Sequence, residues 1–150
     1  MQSLFELGED KTSYRKLSGD YVQLANFEDQ QILKIEPHAL TLIAQEAMKD
    51  IAHLLRPGHL MQLRKILDDP EASNNDKYVA YELLKNANIS SGMILPGCQD
   101  TGTAIVLGYK GENVRTNTND EEALSKGILN TYKKSYLRYS QMAPLSMYKE

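Results

Sequence analysis

The chain has a single cysteine, Cys98, and nothing within it to pair with. An internal disulfide is excluded, which suits a reducing cytosol and makes a cytoplasmic protein the expectation. Clustered lysine and arginine are also missing, and the formal net charge is -3. A nucleic-acid partner needs a basic patch to neutralise phosphates, so none is expected. No apolar run reaches the ~18 residues that cross a membrane, so no membrane partner is expected either. The opening stretch MQSLFELGEDKTSYRK has no apolar core of a secretory signal. Internal repeats, low-complexity tracts and domain-sized linkers are absent as well. What is present is ordinary for a soluble globular protein: 41% hydrophobic and 25% charged residues in 150, enough for one domain with a core.

Periodicity divides the chain into a tail and a body. Residues 1–20 read as a polar tail or irregular segment, and 21–150 as one unit. Between Tyr14 and Ile35, YVQLANF and QILKI mix β-branched and aromatic residues near Ser18-Gly19-Asp20, which predicts a hairpin or irregular strands. Next, EPHALTLIAQEAMKDIAHLLRPG predicts a helix with Pro37 in its first turn. Its inner face would be Leu40, Ile43, Ala44, Ala47, Ile51, Leu54 and Leu55, and Pro57-Gly58 would end it. HLMQLRKILDDP predicts a shorter helix, stopped before Pro70. SNNDKYVAYELLKNAN predicts a third, capped by Ser73 or Asn75, with Tyr78, Val79 and Leu83 inward. Beyond the cysteine loop, Thr103 to Tyr109 and Val114 to Thr116 predict a short β-hairpin. Asp120-Glu121-Glu122 would open a last helix, with negative charge at its positive dipole end. That helix would bury Leu124, Ile128, Tyr132 and either Tyr136 or Tyr139, and run until just before Pro144. The expected fold class is α+β, mainly helical, with the hairpin after the cysteine loop. The chain ends on RYSQMAPLSMYKE with no closing element, which fits either a compact end or a piece of something longer.

The chemistry gathers in LPGCQDTGTAIVLG, Leu95 to Gly108, which carries parts of three unrelated active sites. Gly97 to Thr103 approximates a phosphate loop, but the lysine that reaches the phosphates is missing and a strand-like run follows instead of a helix. Asp100-Thr101-Gly102 is the tripeptide of aspartic proteases. Those need two copies on β-rich lobes sharing a proton, and this chain has one copy after three helices. A nucleophilic cysteine wants a histidine base. His38, His53 and His59 all lie upstream, and they read as surface or helix-end residues. No second cysteine or H-x-x-x-H pair completes a zinc site. By residue type alone, Cys98 is equally well a ligand or a small side chain buried in a tight loop.

A wider pattern weighs on that choice. LPGCQDTGTAIVLGYKG resembles the first cluster-cysteine segment of the class I fumarate hydratases, the iron–sulfur fumarases. FEDQQILKIEPHALTLIAQEAMKDIAHLLRPGH, ILDDPEASNNDKYVAYELLKNANI and LRYSQMAPLSMYKE are similar to matching N-terminal stretches of that family. The resemblance covers Tyr21 to Glu150. It implies an iron–sulfur hydro-lyase, a lyase of the tricarboxylic acid cycle, that reversibly hydrates fumarate to (S)-malate. In that family three cysteines hold a [4Fe-4S] cluster whose open iron acts as a Lewis acid. The resemblance makes Cys98 the first metal ligand, with Gly97 and Gly102 allowing a tight loop beside a bulky cofactor. It makes Gln99 and Asp100 substrate-binding, Asp100 also catalytic as a proton-relaying group, and Arg138 the residue that grips a substrate carboxylate through its planar fork. Thr101 and Gln141 are weaker matches. Further cluster cysteines are absent here. The implied reading is therefore the N-terminal part of the catalytic domain, inactive and without its cluster when alone, from an enzyme expected to be a homodimer. A related hydro-lyase such as an L-tartrate dehydratase, or a non-catalytic helical assembly module, are the alternatives.

Overall fold

The computed structural model describes residues 13–98 and 103–139. The β-branched and aromatic runs near the start form a hairpin of β1 (Val22–Phe27) and β2 (Gln30–Ile35), in register from Val22 opposite Ile35 to Phe27 opposite Gln30. Only Glu28 and Asp29 remain to turn the chain. Glu28 takes a left-handed backbone, φ 54°, as short primed hairpin turns demand of their first residue. The turn thus sits eight residues beyond Asp20, later than the Ser18-Gly19-Asp20 cluster suggested.

Among the described residues four helices follow: α1 (Pro37–His53), α2 (Pro57–Asp68), α3 (Asn74–Ser90) and α4 (Asp120–Lys134). Pro37 stands in the first turn of α1, where its missing N–H costs nothing. Pro57 does the same for α2. The expectation that Pro57-Gly58 ends α1 is corrected: α1 stops at His53, and Pro57 opens the next helix. Ser73 caps α3 reciprocally with Asp76. The serine hydroxyl accepts from the Asp76 N–H, and the Asp76 carboxylate accepts from the Ser73 N–H and hydroxyl. Those bonds hold the Asp76 carboxyl below the usual aspartate range. Asn119 caps α4 by accepting from the N–H groups of Glu121 and Glu122. α4 ends at Lys134, short of the predicted limit, and Tyr136 turns away with φ 52°.

The hairpin expected after the cysteine loop does not form. Residues 103–113 contain no strand, and β3 (Val114–Arg115) pairs parallel to β2, with Leu33 opposite Val114. The strand order is β1-β2-β3. β3 takes the β2 edge, and the apolar β-rich run from Thr103 to Tyr109 joins no ladder. The Lys110 side chain is meanwhile drawn to Thr116 and Asp120. The α+β, mainly helical class stands, with its hairpin before α1 instead of after Cys98.

Packing centres on α1 against α4, and small residues make it close. Ala44, Ala123, Gly127 and Thr131 are buried there. A Cβ added at Gly127 would lie 2.8 Å from the Ala44 Cβ and 2.9 Å from the Gln45 nitrogen, and would overlap the Thr41 carbonyl. Two threonine hydroxyls lock the seam: Thr41 donates to the Ala123 carbonyl at 3.0 Å, and Thr131 to the Gln45 carbonyl at 2.8 Å. The buried stripe of α4 is therefore Ala123, Gly127 and Thr131, one position before the predicted Leu124, Ile128 and Tyr132, which are half-buried. Tyr136 and Tyr139 are exposed. In α1, Ile43 and Ile51 are exposed, as are Leu54 and Leu55 just beyond its end, while Ala44, Ala52 and His53 are buried. In α3, Tyr78, Val79 and Leu83 are exposed while Ala80, Ala87 and Ser90 are buried. α2 packs beside α3 without burying a residue of its own. Among the described residues, Leu137 alone of the large apolar side chains is buried. The expected core is present only as a thin layer of alanines. Among the described residues no helix is long and apolar enough to cross a membrane.

Candidate functional site

One cleft of about 1030 Å³ is lined largely by apolar side chains. Leu40, Ile43, Met48 and Ile51 of α1 form one wall, and Leu124, Ile128 and Tyr132 of α4 another. Thr103 to Val106 and Gly108 to Gly111 run along it, and Ile35 and Val114 close the sheet side. Polar groups enter at three places: Cys98 with Asn86 and Ser90, the Lys110, Thr116 and Asp120 group, and Arg138.

Cys98 reaches the cleft because the chain is fastened just before it. α3 ends at Ser90, Met93 turns the backbone at φ 62°, and Gly97 then donates its N–H to the Ala52 carbonyl of α1 at 2.8 Å. The Cys98 N–H donates to the Asn86 side-chain oxygen, also at 2.8 Å. The cysteine is left exposed. Cys98 is therefore not a small buried side chain in a tight loop. No described glycine has positive φ, and a Cβ at Gly97 would meet its nearest atoms at 3.6–3.7 Å, an ordinary contact. Gly97 is compatible with a side chain. Gln99, Asp100, Thr101, Gly102 and Gln141 lie outside the described residues. Arg138, three residues beyond the C-cap of α4, is exposed and lines the same cleft as Cys98. The two described site residues thus line one cleft.

Three features of this cleft were not anticipated. His53 is buried at 2% exposure, its Nδ1 bonded to the Lys49 carbonyl at 2.8 Å. Because a carbonyl oxygen only accepts, that contact requires a proton on Nδ1. Its Nε2 has no hydrogen-bond partner, so Cys98 and His53 form no thiol–imidazole pair. The His38 ring lies tilted against Tyr21 with ring centroids 4.8 Å apart, and His59 is exposed. Asn86 is the second unanticipated residue. Its only signal in the sequence is helical spacing, one turn before the buried Ser90. The third is the polar group at the start of α4. Lys110 Nζ donates to Asp120 at 2.7 Å and to Thr116 at 2.8 Å, and the Thr116 hydroxyl donates to Asp120 at 2.5 Å. The Lys110 bond first, and the Thr116 bond second, hold the Asp120 carboxyl below the usual aspartate range. Lys110 is thereby paired with a neighbouring carboxylate.

An exposed thiol is a soft donor suited to iron–sulfur chemistry. Among the described residues, however, no group of three or more His, Cys, Asp or Glu side chains could hold a metal ion. Cys98 fits as one ligand of a shared centre and not as a centre by itself.

Residues 41–150 match the family model described as fumarate hydratase (fumerase). The chain is 55% identical over 149 residues to the anaerobic class I fumarate hydratase of Escherichia coli K12, a match covering 99% of this chain and 27% of that one. It is 54% identical over 147 residues to the mitochondrial fumarate hydratase 1 of Leishmania major, covering 97% of this chain and 27% of the relative. The aerobic class I fumarate hydratase of E. coli K12 is 52% identical over 149 residues, with shares of 99% and 27%. The chain therefore spans 27% of the length of these relatives.

Proposed function

The chain belongs to the class I fumarate hydratases, and from that premise we propose that residues 21–150 act as the N-terminal part of a catalytic domain that hydrates fumarate reversibly to (S)-malate. The observation that supports this most is the shared cleft, lined by both an exposed cysteine and an arginine. In this reading Cys98 is one of three thiolate ligands of a [4Fe-4S] cluster, the other two lying outside this chain. When bound, such a cluster supplies a Lewis-acidic iron for the hydroxyl that is added or lost.

The chain's own residues orient the substrate and move a proton. Arg138 binds one carboxylate of the dicarboxylate, for which its planar fork of donors is matched. Gln99 donates a hydrogen bond to the substrate. Asp100 carries the proton that must be delivered to one carbon of the double bond as hydroxide adds to the other, and takes it back in the reverse direction. The apolar walls of the cleft exclude water from that exchange. The enzyme is a cytoplasmic homodimer in this reading, and this chain alone is inactive, since one thiolate does not hold what three hold.

Anaerobic reconstitution with iron and sulfide tests the proposal in two arms. The chain alone is expected to give no fumarate hydration and no [4Fe-4S] signal. Turnover near that of a full-length enzyme would overturn the claim of incompleteness. A chimera carrying this chain in place of the matching segment of the anaerobic E. coli enzyme is expected to hydrate fumarate and to lose both cluster and activity on Cys98→Ser. An active, cluster-bearing C98S chimera would overturn the role of the cysteine.

A further inference from the structure

The hydrogen bonds around Cys98 come from two helices and converge on two consecutive residues. Gly97 N–H is held by the Ala52 carbonyl near the end of α1, and Cys98 N–H by the Asn86 side chain of α3. One turn beyond Asn86, the buried Ser90 hydroxyl donates to the His53 carbonyl at 2.8 Å, tying α3 to the end of α1. Asn86 Oδ1 and Ser90 Oγ both lie 3.7 Å from where a Gly97 Cβ would stand. Carbonyls inside a helix already accept from N–H groups four residues on. A half-buried asparagine offers the passing loop a separate acceptor that reaches beyond the helix backbone, without adding charge.

We propose that Asn86 is the positioning residue for Cys98. Its carboxamide fixes the cysteine's backbone, and through the Cα–Cβ bond it fixes where the thiol enters the cleft. The purpose of that placement rests on the reading of Cys98 as a cluster ligand, but the placement itself is testable without iron.

The chain as it stands is sufficient for the experiment. In the unsubstituted protein, a through-hydrogen-bond coupling between the Cys98 amide nitrogen and the Asn86 side-chain carbonyl carbon is expected in the NMR spectrum. Its absence, with the Cys98 amide exchanging at the rate of an unprotected one, overturns the proposal. Asn86→Leu keeps the shape and removes the acceptor. It is expected to speed Cys98 amide exchange roughly tenfold, the scale of one net hydrogen bond, while exchange along the α1–α4 seam stays unchanged. Asn86→Asp retains an acceptor oxygen and is expected to restore slow exchange. Exchange at Cys98 that is unmoved by the leucine, or not rescued by the aspartate, overturns the proposal. Should the leucine variant fail to fold, the coupling in the unsubstituted chain decides alone. Loss of the iron–sulfur reading in the chimera would leave all of these values where they are, so the two failures are distinguishable.

Discussion

The α1–α4 seam and the run from Thr103 to Gly111 lie on opposite sides of the same cleft wall problem. The seam is finished: alanine, glycine and threonine bring two helices into backbone contact, and threonine hydroxyls close onto the facing carbonyls. The run is unfinished, since Ile105, Val106, Leu107 and Tyr109 are all exposed, Leu107 at 92%. Both are apolar enough to be core. The difference is whether this chain contains the partner. The seam marks what the chain specifies by itself, and the run marks surface that needs something else to cover it.

Breaking the finished side should have the largest effect. Gly127→Ala in an ordinary exposed helix would gain about 1 kcal/mol from propensity. Here the added Cβ meets the Thr41 carbonyl, the Ala44 Cβ and the Gln45 nitrogen, two of them backbone atoms that cannot rotate aside. Overpacking of this kind costs roughly 1–3 kcal/mol and more where backbone must move. The expected result in urea unfolding is a loss of about 3 kcal/mol, opposite in sign to the propensity effect. A stabilised variant would mean that the helices separate freely and that the seam is not what holds the chain.

The unfinished side should respond in association and not in stability. Apolar surface of this extent on one face is characteristic of an interaction site. The chain is expected to self-associate as its concentration rises in sedimentation or size-exclusion measurements. Ile105→Ser combined with Leu107→Ser should weaken that association, while shifting the unfolding free energy by under about 0.5 kcal/mol, the usual range for exposed positions. A monomer at all concentrations, or a double variant that unfolds much more easily, would show that the run already has its partner within the chain.

The same contrast explains how much could be read from the residues alone. The helices were legible, with the starts of α1, α3 and α4, because Pro37, Ser73 and Asp120-Glu121-Glu122 act locally. Their inner faces were not. Large apolar residues mark the core of a chain that closes on itself, whereas here the helices approach through Ala44, Ala123 and Gly127, and Leu124 and Ile128 line a cleft. Strand pairing failed for a related reason. The run after Cys98 has the composition of a strand, yet the β2 edge is taken by Val114–Arg115, a choice made in three dimensions. At the site, the cysteine and Arg138 carried a motif, whereas Asn86 did not, because a side chain that holds another residue's backbone leaves no pattern beyond its helical phase.

A third element joins the two regions and gives the smallest effect. Asp120, in the first turn of α4, accepts from Lys110 at the end of the exposed run and from Thr116 next to β3. Its carboxyl is depressed by the Lys110 bond first and the Thr116 bond second. A depressed carboxyl contributes stability that is fully present above its unfolded-state value and is lost as pH falls through the folded-state value. The window is therefore acidic, beginning at the usual aspartate range and extending below it. Asp120→Asn is expected to lower stability at neutral pH and to flatten its fall on acidification across that window, measured by thermal melts at stepped pH. Since the carboxyl is solvated, the effect should also shrink in high salt. An acid limb as steep in the asparagine variant as in the unsubstituted chain would mean that Lys110 is not held there in solution.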